Sequence, residues 1–127
     1  MACKHILVVD DEADFAALVK LNLEATGQYE VRTVATAADA AAAAREFRPD
    51  LVLLDVFLPD QNGCALASRI ATTLQPRNVP IVLISANFPR QDNNAPPQRM
   101  AQYRFLAKPV AHARLVACIE ACLAEQK

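Results

Sequence analysis

The chain has 127 residues, 54% of them hydrophobic, so it can form one domain with a continuous core and is too apolar to be disordered. Its net charge of −1 argues against a nucleic-acid or membrane-surface role that depends on bulk charge. The sequence contains no apolar run of the roughly 18 residues that span a membrane, and its N-terminus lacks a signal-peptide layout. We therefore expect a single cytoplasmic domain over residues 1–127.

The first half of the chain alternates between strand and helix patterns. An apolar, β-branched run at 5–9 predicts a strand, and the periodic apolar residues of 12–25 predict a helix that ends near a glycine. Weak alternation at 29–34 predicts a second strand. Alanine is the best helix former, so the alanine-rich stretch 36–47 predicts a helix. The apolar run 51–54 then predicts a third strand.

The second half repeats this alternation. Leucine and isoleucine at steps of four predict a helix over 64–74, and the apolar run 81–84 predicts a strand. A short strand is expected at 103–106. The chain ends on a clear helical periodicity over 110–124.

This alternation predicts βαβ units and a parallel sheet with right-handed crossovers. Five strands, several of them apolar on both faces, favour an α/β fold with a doubly wound five-stranded parallel sheet. In such sheets, binding sites lie beyond the carboxyl ends of the strands.

The segment between Ser85 and Tyr103 does not fit the pattern. It contains Pro89, Pro96 and Pro97, and proline breaks the interior of a helix. We expect the fourth helix to be short, irregular or absent, starting near Pro96 if it forms.

Polar residues follow the predicted strands at one edge of the sheet. Asp10 and Asp11 follow the first strand, Asp55 the third, Ser85 the fourth and Lys108 the fifth. Three close carboxylates repel each other unless a cation joins them, and Mg²⁺ prefers such oxygen ligands. A carboxylate is also a nucleophile toward phosphorus, while a lysine and a hydroxyl can bind phosphoryl oxygens. Each residue alone could be a helix cap, a turn residue or a surface charge, so the pattern rests on all of them together.

Four segments together resemble the receiver domain of bacterial response regulators, the CheY-like module of two-component signalling, over nearly the whole chain. They are ILVVDDE at 6–12, LVLLDVFLPDQNG at 51–63, IVLISA at 81–86 and FLAKP at 105–109. The resemblance implies the flavodoxin-like (βα)5 receiver fold. It also implies two-component phosphorelay signalling through an aspartyl phosphate.

The resemblance implies a role for each matching position. Asp10 and Asp11 would bind Mg²⁺, together with Asp55 and the backbone carbonyl of Phe57, and Asp55 would be the phosphoacceptor. The remaining roles concern the bound phosphoryl group and the switch: Ser85 and Lys108 would contact the group, and Phe105 would turn inward with Ser85 on activation.

The resemblance also implies partners. The phosphodonor would be a histidine kinase or a His-containing phosphotransfer protein, and the output would go to a downstream protein partner or effector domain. We expect no direct nucleic-acid or membrane contact. The chain could act alone or as part of a larger regulator.

Three alternatives remain open. A phosphatase using an aspartyl phosphate needs a second acid two residues after the nucleophile, where this chain has Phe57, so we expect no enzyme beyond slow Mg²⁺-dependent autodephosphorylation. A flavodoxin-like cofactor binder would suffer repulsion between phosphate and the acidic residues at 10–12. A phosphorylation-independent adaptor finds its best support in the altered segment at 87–102.

Overall fold

The computed structural model describes residues 3–56, 58, 63–75, 78–85, 98–100, 103–108 and 110–124. Its elements, in chain order, are β1 (Lys4–Val9), α1 (Ala13–Ala25), β2 (Tyr29–Val34), α2 (Ala37–Phe47), β3 (Leu51–Asp55), α3 (Gly63–Leu74), β4 (Ile81–Ser85), β5 (Gln98–Met100), β6 (Tyr103–Ala107) and α4 (His112–Ala124).

The strands form one sheet in the order β2-β1-β3-β4-β6-β5. The five predicted strands pair in parallel, with β1 between β2 and β3, and β4 between β3 and β6. The predicted doubly wound α/β fold is therefore confirmed. The boundaries of these five strands differ from the predicted ones by one residue at most.

A sixth strand was not predicted from the sequence. Gln98–Met100 pairs antiparallel with β6, placing Gln98 opposite Phe105 and Met100 opposite Tyr103. These three residues are therefore extended, and a helix that started near Pro96 could not continue through them. The rest of the segment expected to hold a short or irregular fourth helix lies outside the described residues.

The sheet separates two apolar cores. On one face, α2 and α3 pack against alternate residues of the strands, among them Leu7, Leu54 and Leu83. On the other face, α1 and α4 pack against the residues between them, such as Val8 and Leu53. Every residue of β3 is consequently buried, which explains the unbroken apolar run that precedes Asp55. Within the described part of the chain, none of the helices combines the length and apolar character needed to cross a bilayer.

Capping residues fix the ends of the helices near β2. The Thr36 hydroxyl accepts a hydrogen bond from the backbone N–H of Asp39 at 3.2 Å, as an N-cap of α2 does. Gly27 follows α1 with a φ of 77°, a left-handed conformation that glycine adopts without strain. These two turns set the position of β2 at the edge of the sheet.

The amino ends of the strands form the lower edge of the sheet, opposite the predicted site. There the ring of His5 stacks on that of Phe47, with centroids 4.5 Å apart, and His5 Nδ1 lies 2.9 Å from the carbonyl oxygen of Phe47. The Asp50 carboxylate accepts a hydrogen bond from the His5 N–H at 2.8 Å, and the Asp50 N–H donates to the His5 carbonyl at 2.7 Å. This network attaches the loop between α2 and β3 to β1.

Helix α2 can pack closely on the sheet because four of its five buried positions are alanines. Ala44 is fully buried, whereas Ala42 on the same helix is exposed. Ala44→Leu should overpack this face and lower the free energy of unfolding by about 1–3 kcal/mol. Ala42→Leu, the matched control, should change it by no more than about 0.5 kcal/mol. Urea unfolding of both variants checks this, and equal stabilities would contradict the close packing.

Candidate functional site

The two central strands position two aspartates side by side at the upper, carboxyl edge of the sheet. Val9 of β1 pairs with Leu54 of β3, so Asp10 and Asp55 are the next residues along these adjacent strands. Among the residues that the structure describes, these two are the charged residues that are buried, with 2% and 6% of their surface exposed. The Asp10 N–H donates to the Val34 carbonyl at 3.0 Å, which holds this position against β2.

Asp11 completes a cluster of three carboxylates. Asp10, Asp11 and Asp55 each offer one oxygen, and these oxygens all lie within 4.8 Å of one another. Asp10 Oδ1 accepts a hydrogen bond from the Glu12 N–H at 2.8 Å. Asp10 Oδ2 is buried and has no hydrogen-bond partner of acceptable geometry among the described residues.

This cluster fits a hard divalent cation. Carboxylate oxygens are the donors that such cations prefer, and three like charges at this spacing repel when no cation is present. The buried Asp10 Oδ2 accepts no hydrogen bond of acceptable geometry and lies 2.8 Å from the Lys108 ammonium, so a cation there would take the place of that ion pair. The three residues could therefore hold a metal ion in common, as the sequence predicted.

Lys108, directly after β6, points its ammonium group into the same cluster. Its Nζ lies 2.8 Å from Asp10 Oδ2, an ion pair that lacks the angles of a hydrogen bond, and 3.6 Å from Asp55 Oδ2. Only 9% of its side chain is exposed. Burial lowers the pKa of Lys108, but contacts with Asp10 and Glu12 and the charge of Asp55 outweigh it and raise the pKa above its ordinary value. The ammonium therefore stays charged.

Two further residues contact Lys108 that sequence reasoning did not assign to the site. The Glu12 carboxylate accepts a hydrogen bond from Nζ, and the ring of Phe15 lies beneath the ammonium, 4.6 Å from centroid to nitrogen. Both lie at the start of α1, 96 residues before Lys108 in the case of Glu12. The sequence holds no local signal for such long-range contacts.

The other predicted site residues are placed only in part. Ser85 ends β4 and pairs with Ala107, so its backbone lies at the same edge as Lys108, but its side chain is outside the described residues. Phe57, the predicted carbonyl ligand, also lies outside them. Phe105 is partly buried and packs against the α2–α3 core. Strand β4 lies between its strand, β6, and the acceptor's strand, β3. Its predicted role in switching stays a prediction.

Repulsion within the acidic cluster gives a direct test. Without divalent cations, Asp11→Asn should raise the free energy of unfolding by about 1 kcal/mol, because it removes one of three adjacent charges. Asp14→Asn is the control: Asp14 is exposed in the first turn of α1, where an acid favours the helix, so this change should be neutral or slightly destabilising. Thermal unfolding in a chelator at low salt measures both, and a loss of stability in Asp11→Asn would contradict the repulsion.

Comparisons with known proteins assign this sheet and its acidic cluster to a family. The family model described as "Response regulator receiver domain" matches residues 6–120. The phosphate regulon transcriptional regulatory protein PhoB of Pseudomonas aeruginosa is 32% identical over 123 residues, covering 97% of this chain and 53% of PhoB. The transcriptional regulatory protein PrrA of Mycobacterium bovis is 34% identical, covering 94% of this chain and 49% of PrrA. The chain thus spans about half the length of these curated relatives.

Solved structures give the same result. A CheY-like response regulator receiver domain from Methanospirillum hungatei superposes with a TM-score of 0.81 and 26% identity, covering 98% of this chain and 97% of that one. The receiver domain of a modulated diguanylate cyclase from Desulfovibrio desulfuricans has a TM-score of 0.75 and 29% identity, covering 98% and 97%. With its sheet order and its carboxyl-edge aspartates, this chain belongs to the response regulator receiver domain family of two-component signalling.

Proposed function

We propose that this receiver domain accepts a phosphoryl group on Asp55, with Mg²⁺ held by Asp10, Asp11 and Asp55, and thereby switches a protein-interaction surface. The observation that carries the proposal is the position of Asp55, buried at a strand end beside two further carboxylates and the ammonium of Lys108. The phosphodonor would be a histidine kinase or a His-containing phosphotransfer protein.

The transfer uses the chemistry of the carboxylate. An Asp55 oxygen attacks phosphorus, forming the P–O bond as the bond from phosphorus to the donor imidazole nitrogen breaks, and that nitrogen keeps the electron pair. Mg²⁺, when bound, would neutralise charge on the transferring phosphoryl oxygens. Asp10 and Asp11 would orient the acceptor by sharing its metal ligand sphere, and the backbone carbonyl of Phe57 is the further ligand we propose.

Lys108 and Ser85 would stabilise the product. The Lys108 ammonium already lies 3.6 Å from Asp55 Oδ2, so a small movement brings it into contact with a phosphoryl oxygen. The Ser85 hydroxyl would donate to another oxygen, since its strand ends beside that of Lys108. Partners that exist only in the phosphorylated state bias the domain toward a second conformation, in which Phe105 turns inward.

This function makes the domain a switch and not a turnover enzyme. We propose at most slow autodephosphorylation, because the position two residues after Asp55 is Phe57, which cannot act as a general acid. Output would pass to a protein partner or an effector domain. The relatives named as transcriptional regulators are about twice as long, so an attached effector of that kind is a proposal for this chain. The cytoplasmic location and the lack of direct nucleic-acid contact stay predictions.

Helix α1 offers a surface for the phosphodonor. Leu18 and Leu21 are the large hydrophobic side chains of the described chain that are exposed, at 56% and 66%. They lie one to three turns after the acidic residues that precede α1. An exposed apolar pair on the helix that begins next to the acidic cluster is suited to protein contact.

The acceptor role predicts a mass change. Incubation with acetyl phosphate and Mg²⁺ should add one phosphoryl group to the parent chain, and none to Asp55→Asn, when intact mass is measured. Chelation of the metal should abolish the gain. Beryllofluoride, a mimic of the bound phosphoryl group, should bind the parent if hydrolysis is too fast for the product to be detected.

A parent chain that gains no mass, binds no beryllofluoride and shows no Mg²⁺-dependent stabilisation would contradict the acceptor role. The phosphorylation-independent adaptor would then be the better description.

The docking surface predicts a difference between donors. Leu21→Asp should slow transfer from a phosphorylated histidine-kinase domain that is active on the parent by at least about tenfold, because an interface charge without a partner is costly. Transfer from acetyl phosphate should stay within about twofold, since this small donor needs no docking. Ala42→Asp, exposed on α2 at the other face of the sheet, is the control and should leave both rates unchanged. Radiolabel transfer measures each rate, and equal slowing with both donors would contradict the docking role.

A further inference from the structure

Lys108 pairs more closely with Asp10 and with Glu12, a residue outside the acidic cluster, than with the acceptor. Its Nζ lies 2.8 Å from Asp10 and contacts Glu12, but is 3.6 Å from Asp55 Oδ2, which is beyond hydrogen-bond distance. The ammonium thus lies on the β1–α1 side of the cluster. A closer approach to Asp55 would draw the ammonium away from Asp10 and Glu12.

The backbone position of Glu12 places its carboxylate within reach of Lys108. Its N–H donates to Asp10 Oδ1 at 2.8 Å, and it occupies the N-cap position of α1 without capping the helix through its side chain. The carboxylate therefore makes no capping hydrogen bond to the helix and contacts Lys108 instead. The Glu12 side chain is 64% exposed, so water can solvate it when the contact breaks.

From these contacts we infer that Glu12 is a positioning residue that competes with the phosphoryl group for Lys108 and holds the unphosphorylated state. The inference rests on the proposed acceptor role of Asp55. It differs from it because the role inferred for Glu12 is exerted through Lys108 and not on the acceptor.

The competition between Glu12 and the phosphoryl group for Lys108 becomes stronger once the acidic cluster binds a cation. When Asp10 and Asp11 ligate a cation, the cation neutralises the charge of Asp10 that the Lys108 ammonium offsets in its absence. The positive charges of the cation and Lys108 then repel each other. Glu12 and the phosphoryl oxygens then remain as the rival partners of Lys108. A partly exposed ion pair of this kind contributes a small free energy, so the bias should be a few-fold and reversible.

A double-mutant cycle tests this on the full chain with Mg²⁺ and beryllofluoride. Glu12→Gln should tighten beryllofluoride binding by roughly two- to fivefold, because the rival carboxylate is gone. In a Lys108→Met background the same substitution should change affinity by less than about 1.5-fold, since no ammonium remains to compete for. Asp14→Asn, the control, neutralises a nearby exposed carboxylate and should leave affinity unchanged. Fluorine NMR of the bound species measures each affinity.

Two outcomes would overturn the inference while leaving the acceptor role intact. Glu12→Gln could bind beryllofluoride no more tightly than the parent. Alternatively, its effect could persist in the Lys108→Met background or appear equally in Asp14→Asn, which would make it general charge repulsion. Glu12→Asp, which keeps the charge, should lie closer to the parent than Glu12→Gln does.

A second readout needs no phosphoryl mimic. In metal-free chain, the rate at which acetic anhydride acylates Lys108, relative to Lys20 in the same molecule, should rise at least about twofold in Glu12→Gln, because the ammonium loses one partner. An unchanged ratio would overturn the contact itself. If the parent binds no beryllofluoride, gains no mass from acetyl phosphate and shows no Mg²⁺-dependent stabilisation, the acceptor role fails, and acylation alone then decides whether Glu12 holds Lys108.

Discussion

The meeting of buried carboxylates with one lysine at the edge of an apolar sheet is the constraint around which this domain is built. Asp10 and Asp55 can be buried there because Lys108 offsets part of their charge and the strands end where they stand. The parallel pairing of the strands meets the same need, because it brings the carboxyl ends of β1, β3 and β6 to one edge. Lys108 already pairs with the carboxylates of Asp10, Asp55 and Glu12, so a new anion must compete with them for its ammonium group.

The fold could be predicted from sequence because burial on both faces leaves a clear mark on a strand. The apolar runs ending at Asp10, Asp55 and Ser85 are continuous where α-helices cover both sides of the sheet, and the structure places their boundaries where those runs stop. Strand β5 could not be predicted. Its three residues, Gln98–Met100, have no apolar pattern, and their extended state comes from pairing with β6, which is a tertiary effect.

The site, too, contains residues that could be predicted from the sequence and residues that could not. Asp10, Asp11 and Lys108 could be predicted to meet, because strand ends in a parallel sheet share an edge. The parts played by Glu12 and Phe15 could not, because a residue at the start of a helix reads locally as a cap or a core position. What assigns them is the direction of the Lys108 side chain, which reaches from the end of β6 to the start of α1.

The lower edge of the sheet, where His5 stacks on Phe47 and bonds Asp50, has a bearing on how natural variants of this chain should behave. It is remote from the carboxylates, so substitutions there would change how much folded protein a cell retains and not what each folded molecule does. Substitutions at the upper edge would change what each folded molecule does, even where, as in Asp11→Asn, the fold becomes more stable. A genetic screen that scores output alone would merge these two classes of allele, whereas scoring protein abundance alongside output would resolve them.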